Sequence, residues 1–324
     1  MTDVGWGVLG AGWLVNQATA AAIHSADGAR LVAAGARDLA RAEAIGPDRA
    51  SDSYETVLED PAVDAVYIAL ANDAHLPWIR AAVAAGKHVL CEKPMVLTAA
   101  EADLAFAEAQ EAGVLLVEAA WSRWHPRMQR IVDLAVSGAL GEIRDYLGTF
   151  TFDGVPEGNY RLSRAHGGGA LYDVGIYPLH ALVACLPDVA SFAVAEVEAS
   201  EGGDADDPVD LTTKAALTWG PGTRASIVGS FVMPESQRLT IRGSDGSVRV
   251  DDDQAFTTWR EPSRLLVGEH VETFPAVDAY RLMVEQVSLR IRGGEGWVLP
   301  AADSLRVART VDAIRVASAG LRNT

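Results

Sequence analysis

Short apolar runs alternate with stretches of helical periodicity along the first third of the chain. The apolar runs predict strands at Val4–Leu9, Arg30–Gly35, Ala65–Leu70, His88–Cys91 and Val114–Val117. The stretches between them predict helices at Ala18–Ile23, from about Asp38, at His75–Ala85 and at Ala99–Ala112. Strands that alternate with helices of this length are typical of parallel β-α-β units, whose sheet is buried on both faces. The pattern therefore predicts a doubly wound α/β domain.

The pattern changes at about Trp121. In Ala225–Phe231 apolar residues alternate with polar ones at period two, which indicates a strand with one packed face. The turn Gly243–Gly246 before Val248–Val250 indicates a β-hairpin. Further strands are predicted at Glu142–Phe152 and Leu211–Thr218, and helices at Pro126–Ser137, Gly169–Cys185, Val277–Arg292 and Ala302–Ala319.

Successive strands without intervening helices favour an antiparallel or mixed sheet with one packed face. The 324 residues also exceed what one hydrophobic core usually organises. We therefore predict two domains. Residues 1–121 form a Rossmann-type doubly wound parallel sheet, and residues 122–324 form an α+β domain with a large, open, mostly antiparallel sheet.

The composition indicates the compartment. Cys91 and Cys185 are too few for a disulfide framework, which favours a reducing environment. No basic residue precedes Arg30, so a signal peptide is not predicted. The longest apolar stretches are too short to span a bilayer. We expect a cytoplasmic protein that does not bind membranes.

The charge balance bears on partners. The net charge is −17, from 44 acidic and 27 basic residues. Such a field repels a phosphodiester backbone, and no basic stripe offsets it, so a nucleic-acid partner is not expected. Two acidic runs, Glu201–Asp210 and Asp251–Asp253, are interpreted as solvated turns. The histidines and cysteines show no metal-ligand spacing, and we predict no metal site.

Gly10 and Gly12 follow the first predicted strand and precede the first predicted helix. A dinucleotide-binding turn requires this context, because glycines permit the tight turn and let backbone N–H groups approach a pyrophosphate at the helix N-terminus. The third position of the motif, usually glycine or alanine, is Val15. A glycine-bearing turn without a ligand is the alternative, but the position directly after the first strand favours cofactor binding.

The residues after the second predicted strand bear on the choice of cofactor. A site selective for NAD needs a carboxylate near Ala36 that accepts hydrogen bonds from the ribose 2′-hydroxyl. That position is alanine, and Arg37 and Arg41 follow one helical turn apart. Guanidinium groups suit a 2′-phosphate, so NADP is favoured over NAD. The alternative is that both are ordinary surface arginines and that Asp38 only begins a helix.

The segment Gly86–Pro94, Gly-Lys-His-Val-Leu-Cys-Glu-Lys-Pro, places a charged pair after a predicted strand. On this segment the chain resembles the glucose–fructose oxidoreductase, inositol dehydrogenase and rhizopine-catabolism (Gfo/Idh/MocA) superfamily. Further matches, which extend the resemblance over essentially the whole chain, are Asn72–His75, Glu118–Arg123 and Gly167–Tyr177. Within the superfamily the chain is most similar to the branch of dimeric dihydrodiol dehydrogenases and NADP-dependent D-xylose dehydrogenases.

The resemblance implies an NAD(P)-dependent oxidoreductase that transfers a hydride between nicotinamide C4 and a CH–OH or C=O group of a sugar, cyclic polyol or trans-dihydrodiol. It implies that Lys93 lies beside the nicotinamide ribose and the reacting carbonyl, and that Tyr177 transfers the proton. A free phenol has a pKa of about 10, too high for an efficient base at neutral pH, and a nearby ammonium lowers it. Asp173, four residues before Tyr177 on the same helix face, is assigned to orienting Lys93 or the substrate hydroxyls.

The assignments cover catalysis, cofactor and substrate. Catalysis is assigned to Lys93, Tyr177 and Asp173. The predicted substrate-binding residues are Lys93, Trp121, Arg161, Asp173 and Tyr177. The predicted cofactor-binding residues are Gly10, Gly12, Trp13, Leu14, Arg37, Arg41, Leu70, Asn72, His75, Glu92, Lys93, Trp121 and Arg123. The expected partners are a small-molecule substrate and further copies of the chain. A homodimer or homotetramer is expected by resemblance, formed through the open face of the second sheet.

Each assignment has a structural alternative. Lys93 and Glu92 could form a plain surface ion pair, which is the commonest role of such neighbours. Tyr177 could be a core tyrosine whose hydroxyl bonds to backbone. Trp121 and Arg123 could serve packing at the domain junction rather than ligand binding.

Two other functions stay open at this point. A cofactor-retaining, NAD-dependent glycoside hydrolase would oxidise a sugar transiently and release an aglycone. A non-catalytic dinucleotide-binding regulator would need no proton relay such as Lys93 and Tyr177. The sequence also leaves open the substrate, the roles of His166 and His180, and whether the Lys93–Pro94 peptide is cis.

Overall fold

The computed structural model describes residues 2–203, 206–250 and 254–321, and the chain divides into two compact units. Unit 1 consists of Met1–Val96, Ala100–Trp121 and Asp278–Ala301, and unit 2 consists of Leu97–Ala99, Ser122–Val277 and Ala302–Thr324. The predicted division assigned every residue after Trp121 to the second domain. The structure instead returns residues 278–301 to unit 1.

Within the described residues, unit 1 is built on a six-stranded parallel sheet. Its strands are β1 (Val4–Leu9), β2 (Ala29–Gly35), β3 (Arg49–Ser51), β4 (Ala65–Ile68), β5 (His88–Glu92) and β6 (Leu116–Ala119). They are ordered β3-β2-β1-β4-β5-β6. Every residue of β1 and β4 is buried, as expected for a parallel sheet covered on both faces. The strand order reverses between β1 and β4, the point at which open α/β sheets bind ligands.

Helices connect these strands in unit 1. They are α1 (Ala20–Ser25), α2 (Leu39–Glu43), α3 (Tyr54–Glu59), α4 (His75–Ala84) and α5 (Ala99–Glu111). A π-helical turn over Val15–Thr19 leads into α1. Asp38 caps α2 by accepting a hydrogen bond from the backbone N–H of Ala40 at 3.0 Å, which confirms its predicted place at a helix start.

The sheet of unit 2 confirms the predicted α+β architecture. In the part of the chain that the structure describes, its eight strands are β7 (Ile143–Asp153), β8 (Ala193–Gly202), β9 (Val209–Thr218), β10 (Arg224–Ser230), β11 (Val232–Gly243), β12 (Ser247–Val250), β13 (Ser263–Val267) and β14 (His270–Phe274). Their order is β14-β13-β12-β11-β7-β10-β9-β8, and the pair β7–β10 is parallel whereas the other pairs are antiparallel. Leu239 pairs with Val250, which confirms the predicted hairpin.

One face of this sheet packs against helices. The inward residues Ala225, Ile227, Leu239 and Ile241 are at most 1% exposed. They share a core with residues of α6 (Pro126–Val136), α7 (Ile176–Cys185) and α9 (Ala301–Leu321). The remaining helix, α8 (Ala279–Ile291), belongs to unit 1. No helix in the described part of the chain is both long and apolar enough to cross a membrane.

One expectation about unit 2 was confirmed and one was wrong. The predicted helix Gly169–Cys185 is present, with a π-helical turn over Leu171–Gly175 that leads directly into α7, and Gly169, whose φ is +121°, stands at its start. The acidic run Glu201–Asp210 is not a solvated turn at its ends, since Glu201 lies in β8 and Asp210 in β9. Residues 204–205 of that run, and all of the run 251–253, lie outside the described residues.

Candidate active site

The glycine turn lies at the carboxyl end of β1. The N–H of Gly10 donates to the carbonyl of Gly35 at 2.9 Å, and its φ is +97°. A Cβ at Gly10 would lie 2.4 Å from the carbonyl oxygen of Ala69, so only glycine fits. A Cβ at Gly12 would meet no atom within 4 Å. The first glycine thus allows close packing, whereas the second faces open space from which a phosphate could reach the backbone.

The residues after Gly12 extend this open face. Trp13 is 75% exposed and Leu14 is half-buried, whereas Val15 is fully buried at the start of the π-helical turn. Asn16, which the sequence analysis did not single out, donates from its amide to the carbonyls of Gly12 at 2.9 Å and Ala11 at 3.3 Å. These two hydrogen bonds from the Asn16 side chain stabilise the glycine turn.

Arg37 and Arg41 are exposed beyond the carboxyl end of β2. Burial raises the pKa of the Tyr54 phenol, and the positive charges of Arg37 and Arg41 both oppose that rise. Because both guanidinium groups act on the same phenol, they share one side of unit 1. Within the described residues, neither guanidinium forms an ion pair with a carboxylate. A 2′-phosphate would find two available cations at this place.

Glu92 ends β5 and Lys93 follows it, and the burial of Glu92 does not fit a plain surface ion pair. Glu92 is buried, and its Oε1 accepts a hydrogen bond from the phenol of Tyr67. Its Oε2 accepts from the backbone N–H of Lys93 at 3.2 Å. Burial and the adjacent Glu92 hold the pKa of Tyr67 well above its usual value, so the phenol remains a donor. Glu92 therefore orients the Lys93 backbone, and a cis peptide bond joins the half-buried Lys93 to Pro94.

His75 and Glu118 support the same turn from below. The imidazole of His75 has no exposed surface, and its nitrogens lie 2.8 Å from the carbonyl of Pro94 and 3.2 Å from that of Leu70. Glu118 on β6 accepts a hydrogen bond from the N–H of Met95 at 3.0 Å. The buried ring of His75 therefore spans two loops and positions them, and its predicted cofactor contact stays a prediction.

Three further predicted residues lie at this edge of unit 1. Leu70 is half-buried and Asn72 is buried in the segment after β4. Trp121 is 4% exposed, and its ring stacks on Tyr280 of α8 with centroids 4.7 Å apart. Trp121 therefore packs within unit 1, and its predicted cofactor and substrate contacts stay predictions. Sequence reasoning missed Tyr280, because nothing in the local pattern shows that α8 belongs to this unit.

Unit 2 brings together two predicted substrate-binding residues. Arg161 donates from Nε to Oδ2 of Asp173 at 2.8 Å, and its guanidinium lies over the ring of Tyr160 with the centroid 4.9 Å away. Burial lowers the pKa of Arg161, but Asp173, Tyr160 and Tyr177 outweigh it, so the net shift is upward. The guanidinium therefore stays charged beside the two predicted catalytic groups of this unit.

Tyr177, the predicted proton-transfer residue, is the second residue of α7. It is half-buried, and its ring packs against Phe150 of β7 at 5.3 Å and lies 6.4 Å from Phe256. Phe256 is fully buried, and Phe150 is the nearer of the two aromatic neighbours of Tyr177. Tyr177 thus has an aromatic neighbour in Phe150, and it is one of the groups that raise the pKa of Arg161.

Asp210 contacts the start of the helix that bears Asp173 and Tyr177, a contact that sequence reasoning missed. Its Oδ2 accepts hydrogen bonds from the N–H of Leu171 at 2.8 Å and from the hydroxyl of Thr213 at 2.7 Å. Burial raises the pKa of Asp210 to about 6, against these hydrogen bonds and the charge of Arg315, which lower it. Its membership of an acidic run pointed to solvent, and only the strand register of β9 shows otherwise.

Arg123 is held by contacts within unit 2, and its predicted cofactor contact stays a prediction. Both terminal nitrogens of this buried guanidinium lie 3.2 Å from Oδ2 of Asp303, and Nη1 also donates to the carbonyl of His180 at 3.2 Å. Arg123 is therefore a core residue that ties α9 to α7 in unit 2. His180 is buried on α7, and His166 is exposed in a short 3₁₀ turn before the glycines.

These features fit a dinucleotide in unit 1 and a polar substrate group in unit 2. The open glycine backbone, the two arginines and Lys93 line the carboxyl ends of parallel strands, where such folds bind nucleotides. No group of three or more histidine, cysteine or acidic side chains among the described residues could hold a metal ion.

Fold and site together define a dinucleotide-binding oxidoreductase. The chain belongs to the Gfo/Idh/MocA oxidoreductase family: residues 4–119 match its NAD-binding Rossmann-fold domain, and residues 128–249 match its C-terminal domain.

Individual relatives cover most of the chain. A D-xylose 1-dehydrogenase (NADP(+)) of Haloferax volcanii is 34% identical, with 95% of each chain covered. A trans-1,2-dihydrobenzene-1,2-diol dehydrogenase of Mus musculus is 32% identical, with 83% of this chain and 79% of that one covered. The chain also resembles KijD10, a 3-ketoreductase from Actinomadura kijaniata, in its crystal structure with NADP and TDP-benzene. The two sequences are 30% identical, the structures superpose with a TM-score of 0.88, and the match covers 98% of each chain.

Proposed function

We propose that this protein is an NADP-preferring oxidoreductase that interconverts a hydroxyl and a carbonyl group on a sugar, cyclic polyol or trans-dihydrodiol. The observation that carries the proposal is the edge of the unit 1 sheet. There the turn at Gly12 leaves its backbone open, and the turn at Lys93 is held by buried Glu92.

The preference for NADP rests on the end of β2. The position that would carry a ribose-binding carboxylate is Ala36, and Arg37 and Arg41 stand in its place without carboxylate partners among the described residues. Guanidinium groups bind phosphate in a fork, which favours a 2′-phosphate over a 2′-hydroxyl. The Haloferax relative is named as an NADP(+)-dependent dehydrogenase, and the KijD10 crystal structure is a complex with NADP.

In this proposal three side chains have separate roles toward the substrate. Lys93 hydrogen-bonds the reacting oxygen, and Tyr177 gives or takes its proton. Asp173, fixed by Arg161, accepts a hydrogen bond from a neighbouring hydroxyl. A bound NADP supplies C4 of its nicotinamide ring as the hydride donor or acceptor. General acid–base groups of this kind contribute on the order of 10²–10⁴-fold to a rate.

The substrate class follows from the relatives and from the groups around Tyr177. The relatives are named for a sugar, a dihydrodiol and a keto-sugar nucleotide. Arg161 and Asp173 offer both donor and acceptor groups, which suit hydroxyls, whereas Phe150 offers an apolar face beside the phenol. A ring with hydroxyls on one side and C–H groups on the other satisfies both.

The test is an activity screen with NADP and NAD against aldoses, keto-sugars and cyclic diols, followed by NADPH absorbance. We expect turnover with at least one class and a preference for NADP. Lys93→Met should abolish turnover while cofactor binding stays measurable; full activity of this variant would defeat the assignment. Aglycone release from nitrophenyl glycosides without net NADPH would favour the hydrolase, and tight NADP binding without turnover would favour the regulator.

A further inference from the structure

The start of the helix that bears Asp173 and Tyr177 is held by a carboxylate from another element. Asp210 is the second residue of β9, and its side chain reaches the backbone N–H of Leu171 at 2.8 Å. The N–H groups at a helix start have no partner within the helix, so a carboxylate there both accepts a hydrogen bond and opposes the helix dipole.

The same carboxylate fits against the glycine segment that leads into the helix. A Cβ at Gly169 would lie 2.2 Å from Oδ1 of Asp210, and the φ of Gly169 is +121°. The N–H of Gly169 donates to the carbonyl of Arg161 at 2.9 Å. The absence of a side chain at Gly169 therefore lets Asp210 and the Arg161 loop both approach the start of the helix.

A series of linked hydrogen bonds connects Asp210 to the predicted catalytic residue Asp173. Asp210 holds Leu171, and Gly169 connects this start to the backbone of Arg161. The Nε of Arg161 then donates to Oδ2 of Asp173, whose own N–H donates to the carbonyl of Gly169 at 3.1 Å. Thr213 fixes the Asp210 carboxylate itself, at 2.7 Å.

We propose that Asp210 is a positioning residue, whose carboxylate fixes the first turn of the helix and thereby places Asp173 and Tyr177 for the reaction. The proposal rests on the proposed function for those two residues. Asp210 acts through the helix backbone, since among the described residues its carboxylate accepts hydrogen bonds from the N–H of Leu171 and from the hydroxyl of Thr213. Groups that support a reacting residue matter because small displacements are costly.

The experiment compares Asp210→Ala and Asp210→Asn with the wild-type protein in steady-state kinetics. Alanine removes the acceptor, so we expect kcat to fall on the order of tenfold or more, with an unchanged Kd for NADP, which binds unit 1. Asparagine keeps an acceptor oxygen for Leu171 and should restore most of kcat. Asp207→Asn is the matched control, because this acid of the same run is half-exposed and pairs with Arg164 instead.

Hydrogen–deuterium exchange separates this inference from the proposed function. The Leu171 amide should exchange faster in Asp210→Ala than in the wild-type protein, and Asp210→Asn should keep it protected. If the wild-type protein binds NADP but turns over no compound in the screen, the proposed function fails, and the exchange result alone decides the inference.

Several outcomes would overturn the inference. They are a wild-type kcat and wild-type Leu171 protection in Asp210→Ala, or an Asp210→Asn variant as impaired as the alanine variant. Should Asp210→Ala not fold, Gly169→Ala applies, because the added Cβ must displace Oδ1 of Asp210 while all polar groups remain. An unchanged kcat in Gly169→Ala would equally end the proposal.

Discussion

Arg161 presents its Nε to Oδ2 of Asp173 at 2.8 Å, and this ion pair lies within unit 2 beside the phenol of Tyr177. The pair is partly shielded, with the side chain of Asp173 only 14% exposed. A shielded pair of this kind orients both partners, so that an arginine donor and a carboxylate acceptor are offered side by side. This arrangement supports the proposal that the substrate carries hydroxyl groups.

The first prediction concerns this pair. Replacing Arg161 with methionine removes the donor that orients Asp173 and should raise KM for the substrate on the order of tenfold, with Kd for NADP unchanged. Arg164→Met is the control, since Arg164 pairs with Asp207 in the same loop region. Steady-state kinetics check it, and equal effects of the two variants would show that Arg161 has no special role.

The second prediction concerns the cofactor. The double variant Arg37→Ala, Arg41→Ala removes both cations near the end of β2 and should weaken NADP binding on the order of tenfold or more, while NAD binding is unaffected. Arg30→Ala serves as the control, because this exposed arginine pairs with Asp48 instead. Isothermal titration with both cofactors measures the change; a parallel loss for NAD and NADP would contradict the assignment.

The third prediction concerns the support beneath Lys93. Tyr67→Phe leaves the buried Glu92 without its phenol donor, so the free energy of unfolding should fall by about 1–3 kcal/mol. Tyr54→Phe is matched to it, since Tyr54 is a partly buried tyrosine of unit 1 for which the described residues provide no hydrogen-bond partner. Urea unfolding gives both values, and a Tyr67 variant as stable as the Tyr54 variant would refute the role of this hydrogen bond.

The fourth prediction is a loss of stability in acid. Burial and then the charge of Arg127 lower the pKa of His125 from 6.5 to about 4. At His125 the unfolded chain therefore takes up a proton at higher pH than the folded chain does. The contribution of this group to stability falls as pH decreases from 6.5 to about 4, opposite in sign to the contribution of Asp210, whose pKa is raised to about 6. The full shift of the His125 pKa corresponds to at most about 3 kcal/mol.

A variant isolates this histidine. His125 caps α6 by accepting a hydrogen bond from the N–H of Arg127 at 3.1 Å. Asparagine also caps helices well and does not titrate. His125→Asn should flatten the decline in urea-derived stability between pH 6.5 and 4, and the exposed His270→Asn should not. An unchanged pH profile for His125→Asn would exclude His125 as its source.

The fifth prediction concerns self-association, which stays a prediction. Leu147 on β7 is 37% exposed, on the sheet face opposite its buried neighbour Tyr146. A broad open sheet face favours a second copy as its cover. Light scattering should give a multiple of the 34.3 kDa chain mass, and Leu147→Arg should shift it toward the monomer. Val316→Arg, on exposed α9 surface, should not; a monomeric wild-type protein would reject the prediction.

Much of the fold could be predicted because periodicity reports burial. The fully buried β1 and the alternating β10 confirm their predicted strands, and the hairpin at Gly243–Gly246 is confirmed by register. The three-residue strand β3 and the six-residue helix α3 were missed, because segments so short carry too few periods to stand out.

The site was harder to predict, because its residues depend on contacts distant in sequence. The Gly-Lys-His-Val-Leu-Cys-Glu-Lys-Pro segment located the turn at Lys93, yet nothing local could show that Tyr67 would hold Glu92. The acidic run that contains Asp210 predicts a solvated turn, and no local pattern pairs Arg123 with an acid. Their neighbours in the structure, Leu171 and Asp303, come from other elements of the tertiary fold.

The return of α8 to unit 1 has a consequence for synthesis on the ribosome. The indole N–H of Trp6 in β1 donates to the hydroxyl of Ser288 in α8 at 3.0 Å, and Trp121 stacks on Tyr280. The N-terminal strands of unit 1 are therefore synthesised long before α8, which packs against them. Unit 1 can complete its core only when translation has passed residue 301, and a fragment ending at residue 121 would leave Trp6 and Trp121 exposed.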